Sequence, residues 1–162
     1  MSDHSHSSSI AISHFLLGSQ YAALGQFDKA ESALANAVLL APSLHVARYQ
    51  LGLLQFSSGR AAVALVTWEP LFSLEDAQPL GHFVRGFAAL AQDEFAQAKA
   101  FFEAGLARNT ENAAMSNDIE KVLRGIEAAI QKQSDASSTP QQPEAAAHVL
   151  LSNYGKFGGT VH

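Results

Sequence analysis

Histidine is the side chain here best suited to acid–base or metal chemistry near neutral pH, and the chain carries seven. His4 and His6 alternate in the serine-rich start "MSDHSHSSS", a spacing compatible with weak metal binding in a solvated segment but not with a built site. His14 and His82 stand two 34-residue periods apart, so regular packing accounts for them. No cysteine occurs, which excludes disulfides, thiolate metal sites and thiol catalysis. The sequence also has no HExxH helix, no glycine loop ending in Lys-Ser/Thr, and no GxSxG turn, the arrangements that would mark a metalloprotease, a phosphate cradle or a serine nucleophile. The expectation is a protein without catalysis, cofactor or metal. Binding is the chemistry that remains.

Charge narrows the partner. Charged residues make up only 15 % of the 162, against about 25 % in ordinary soluble proteins, so contacts beyond the monomer are expected. The net charge of −5 gives no basic face to neutralise phosphates, which argues against nucleic acid. No basic leader precedes an apolar stretch, and no apolar run reaches the ~18 residues that could span a bilayer. A cytoplasmic protein without membrane insertion is the default expectation.

The elements that would position a binding site show as a period. Gly18, Gly52 and Gly86 are 34 residues apart, as are Ala30, Ala64 and Ala98, and the bulky Leu34, Trp68 and Phe102. Gly25 and Gly59 keep the same interval, with Asp93 in the third place, and all three are turn residues. Each period reads as two helices. In the first, residues 13–24 are apolar at helical spacing, Gly25 punctuates, and residues 27–40 form a second helix stopped near Pro42. A glycine inside a helix costs roughly 1 kcal/mol against alanine. Repeated at one phase, it predicts close approach of a neighbouring helix, with the Ala30 column as the small surface opposite.

This pattern resembles the tetratricopeptide repeat, a helix–turn–helix unit of 34 residues. Leu17, Gly18, Tyr21, Ala30, Ala37 and Pro42 fall on the family's positions; Leu51, Gly52 and Ala64 follow in the second copy, and Gly86 and Ala98 in the third. The tryptophan place of the family holds His14, Arg48 and His82, and Arg85 stands where Leu17 and Leu51 do. The resemblance implies an all-α fold, a solenoid of helical hairpins over residues 11–44, 45–78 and 79–112. A helix over about 112–133, apolar at Ile119, Val122, Leu123, Ile126 and Ile130, would cap it. Residues 1–10 are expected to be disordered.

Family members bind peptides on the concave side, at the second, fifth, ninth and twelfth places of each unit. By that resemblance Ile12, Val46 and Leu80 line a groove, with Phe15, Tyr49 and Phe83, then Leu53 and Phe87, then Phe56. The lining is apolar and aromatic. The Lys and Asn with which some members clamp a peptide carboxylate are missing, although Lys121 and Arg124 on the capping helix would make one end basic. Five exposed rings would exceed the ~300–600 Å² apolar patch of a typical monomer, so a partner is expected to cover them.

After the cap, residues 134–143 are polar and carry two prolines, a flexible linker. Residues 144–162 then hold Ala147, Leu150, Leu151 and Tyr154 on one helical face, extended by Phe157. Such a tail, marginal alone, suits docking into an apolar groove, its own or that of a second copy. The expected function is a module binding an apolar peptide or helix of a partner protein. Two alternatives stand beside it. One is a chaperone similar to class II chaperones of type III secretion, which have three such repeats; the other is self-assembly into a homo-oligomer through the tail.

Overall fold

The computed structural model describes residues 2–136, and all regular structure among them is helical. The elements are α1 (Ser2–Ala23), α2 (Phe27–Leu40), α3 (His45–Ser57), α4 (Ala61–Thr67), a 3₁₀ turn (Glu69–Ser73), α5 (Pro79–Ala91), α6 (Phe95–Arg108) and α7 (Ala113–Asp135). The expected all-α class holds. The described residues divide into two compact units, 2–69 and 70–136. In the first, α1 packs on α2, and α3 on both α2 and α4; in the second, α5 packs on α6, and α6 on α7.

Three of the interhelix turns are copies of one another. Gln26 N–H donates to the Tyr21 carbonyl at 2.8 Å, Arg60 to Gln55 at 2.9 Å and Glu94 to Ala89 at 3.0 Å. The residue before each donor, Gly25, Gly59 or Asp93, has positive φ. This is the 6→1 closure of a helix by a left-handed residue. It explains why only glycine or a short polar side chain fills that column.

Two expectations need correction. Residues 2–10, expected to be disordered, belong to α1. Serine hydroxyls there bond back one turn within the helix: Ser9 donates to the Ser5 carbonyl and Ser13 to that of Ser9, both at 3.1 Å. The second helix of the second repeat is also shorter than its counterparts, ending at Thr67. Pro70 has no N–H for the Val66 carbonyl and its ring clashes with that turn, so the chain continues as 3₁₀ instead.

The long helix α7 forms where the capping helix was expected. Asn112 caps it by accepting from Met115 N–H at 3.0 Å. Met115, Ile119 and Ile126 are buried, Val122 and Leu123 half-buried, while Ile130 is exposed. The tail positions Ala147, Leu150, Leu151, Tyr154 and Phe157 lie outside the described residues.

Candidate binding surface

The periodic columns explain each other. A Cβ on Gly18 would come within 2.8 Å of Leu34 Cγ, one on Gly86 within 2.6 Å of Phe102, and one on Gly52 would fall inside the Trp68 indole. The bulky column of each second helix therefore sits in the glycine notch of the first. The Ala30 column supplies fully buried small positions at that contact: Ala30, Ala64 and Ala98 have no exposed surface, and a Cβ on Gly18 would lie 3.3 Å from the Ala30 carbonyl oxygen. Trp68 is anchored further by its indole N–H, which donates to the Tyr49 carbonyl at 3.1 Å.

This packing changes the role of four expected groove residues. Tyr49, Phe56, Phe83 and Phe87 are buried, not a solvent-facing ladder. Tyr49 and Phe56 each stack on Trp68, with ring centroids 6.2 and 6.0 Å from it. Phe87 meets Phe102 edge-on at 4.9 Å. Phe83 fills the space left by Gly105 on α6. The physical reason is that burying such a ring yields about 1.5–3 kcal/mol, and each faces a bulky side chain or notch on its own second helix.

The remaining expected positions keep access to solvent. Ile12 is 48 % exposed, and Phe15, Val46, Leu53, Leu80 and Lys121 are half-buried, with Arg124 exposed. Ile12, Phe15, Val46 and Leu53 belong to the first unit; Leu80, Lys121 and Arg124 belong to the second. Phe15 also leans on the core cluster of Ala30, Leu34, Leu51 and Leu54. Leu16, not singled out from the sequence, is 56 % exposed and shares a face with Ile12 at i, i+4. Its exposure had no periodic signal, because Gln50 and Val84 hold the equivalent places.

The polar residues at the tryptophan places have a common structural task. Arg48 Nη2 donates to the Pro42 carbonyl at 3.3 Å and its Nη1 to the Thr67 carbonyl at 3.1 Å. His82 Nε2 donates to the Asp76 carbonyl at 2.8 Å, one period on from Pro42. Both side chains thus tie a first helix to the chain six residues earlier. This column was readable in the sequence as a position, but not as a hydrogen bond.

Two ion pairs pin the hairpins. Arg60 forks onto both carboxylate oxygens of Glu31, and Arg108 donates to Asp76 Oδ2 through Nε at 3.1 Å and Nη2 at 2.8 Å. These hydrogen bonds hold the Glu31 and Asp76 carboxyls below their ordinary range. A depressed carboxyl stabilises the fold above its unfolded pKa, near 4, and that contribution is lost as pH falls through the lower folded value. The melting temperature should therefore drop on acidification below about pH 4. In a thermal titration from pH 7 to 3, Glu31→Gln with Asp76→Asn should flatten this acid limb; an unchanged limb would show the pairs contribute nothing, as exposed pairs sometimes do.

Among the described residues, no group of three His, Asp or Glu side chains is placed to hold a metal ion, and no helix is long and apolar enough to cross a membrane. No protein-family model, curated protein or solved structure matches the chain.

Proposed function

We infer that the chain is a non-enzymatic helical-repeat module, of tetratricopeptide type, that binds an apolar peptide or helix of a partner protein. The observation that carries this reading is the accessible apolar surface on the first helices: Ile12 with Leu16 on α1, and half-buried Phe15, Val46 and Leu53. The 34-residue period supports the repeat assignment. The buried rings support rigid hairpins beneath the surface, and rigidity lowers the ordering cost of binding. Arg124, exposed near half-buried Lys121 in sequence, favours an acidic group on a ligand that reaches α7.

Display selection of 12–20-residue peptides against the full chain, followed by titration calorimetry, tests the reading. Selected peptides should be rich in apolar residues, and Ile12→Asp with Leu53→Asp should weaken them at least tenfold while helical circular dichroism is retained. Failure to select any peptide, or affinity indifferent to these substitutions, would overturn it. The amphipathic pattern of residues 144–162 supports self-occupancy by the tail. A chain ending at residue 139 should then bind more hydrophobic dye than the full chain.

A further inference from the structure

We propose that Glu31 and Arg60 are positioning residues for the apolar surface of the first unit. Their ion pair locks the first hairpin to the second, and so fixes the span between Ile12 and Phe15 on α1 and Val46 and Leu53 on α3. The proposal rests on the reading of that surface as a peptide site. Neither residue belongs to the surface itself: Glu31 lies on α2, and Arg60 in the turn between α3 and α4.

The apolar contact between these hairpins does not set the span alone. Ala30 and Leu34 of α2 cluster with Leu51 and Leu54 of α3, and Phe15 leans on the same cluster. Hydrophobic attraction has no direction, so such a contact resists separation more strongly than rotation. A fork between arginine and a carboxylate does have direction. Arg60 donates through Nη1 to Glu31 Oε2 at 3.0 Å and through Nη2 to Oε1. Its Nε donates to Ser58 Oγ at 2.9 Å, so every guanidinium nitrogen is engaged and the plane is set. Beside the fork, Gln55 is buried, and its Oε1 accepts from Thr67 Oγ1 of α4 at 2.6 Å. Arg60 first, and Gln55 after it, hydrogen-bond the Glu31 carboxyl. The link therefore reaches from α2 to both helices of the second hairpin.

The other repeats show what this column does. Glu31 is followed one and two periods on by Leu65 and Lys99, and Arg60 by Glu94. Lys99 pairs with Glu127 of α7 at 3.6 Å, so the column is bridged to the next helix again, with the charges reversed. The middle copy, Leu65 with Glu94, has no opposite charges to pair. It is there, between residues 69 and 70, that the described chain divides into its two compact units. Elements joined by an ion pair through this column share a unit, and the copy without one marks the boundary.

Because the chain has no cysteine, spin labels can be placed at will on exposed residues. Labels at Gln20→Cys and Ala62→Cys read the span between the hairpins by double electron–electron resonance, and labels at Gln20→Cys and Asn36→Cys read the first hairpin alone; all three positions are exposed. Glu31→Ala should broaden the first distance distribution and leave the second unchanged, with helical circular dichroism retained. If that variant loses helix, Arg60→Lys, which keeps the charge and loses the fork, serves instead. A peptide selected against the full chain should bind either variant about fivefold more weakly, at the upper end of what a partly exposed ion pair contributes. Exchanging the charges, Glu31→Arg with Arg60→Glu, should recover part of that loss, since Asp28 also acts on position 60. An unchanged span between the hairpins overturns the proposal whether or not a peptide is found. Unaltered affinity for a selected peptide overturns it too, and leaves the peptide reading standing. Failure to select any peptide removes that reading and the positioning role with it, while a broadened span would still show the lock.

Discussion

Gly52→Ala should lower the melting temperature by roughly 5 °C, although alanine is the better helix former by about 1 kcal/mol. The sign is set by the Trp68 ring, which occupies the space a Cβ would need. That ring has no exposed surface and is held through its N–H to the Tyr49 carbonyl, so it cannot turn aside as a flexible side chain would. Overpacking a rigid core costs about 1–3 kcal/mol and sometimes more, and 1 kcal/mol moves the melting point of a chain this size by ~2–4 °C. A double-mutant cycle isolates the contact. Trp68→Leu recreates the Gly18–Leu34 pairing of the first hairpin, so Gly52→Ala should cost less in that background than in the wild type. Equal cost in both backgrounds would mean the indole is not the obstacle.

The second large effect concerns a residue whose position in the repeat suggested binding. Phe83→Ala should remove about 3–5 kcal/mol of stability by opening a cavity where no surface is exposed. Against a total of about 5–15 kcal/mol for a domain, that loss brings the second unit close to unfolding. Urea denaturation followed by far-ultraviolet circular dichroism measures it. Partner capture should fail only where folding fails: at a temperature and urea concentration where the variant remains native, its affinity for a selected peptide should match the wild type. A fully stable variant with weakened binding would return Phe83 to the groove. Leu53→Asp, at a half-buried position, should show the opposite separation, with binding lost and most stability kept.

These two residues mark the line between pattern and packing. The 34-residue period located the turns at Gly25, Gly59 and Asp93 and the notch at Gly18, Gly52 and Gly86, because left-handed φ and close approach each tolerate few residue types. It did not reveal that Leu34, Trp68 and Phe102 fill those notches, since any large apolar residue satisfies periodicity equally well. The serine-rich start looked like a disordered tail by composition, yet Ser9 and Ser13 bond back within a helix. Pro70 was visible as a letter, and its effect on α4 depended on the turn in which it fell.

The sequence alone therefore determined the helical class, the hairpin unit and the near absence of charge from His4 to Phe27, all of which follow from local backbone preference and spacing. Only the tertiary structure decided which apolar side chains stay accessible. Tyr49 and Phe83 were turned inward while Ile12 and Leu17 were left outside. Helical spacing specifies a direction around one axis, and whether that direction meets water or a neighbour depends on the helix packed beside it.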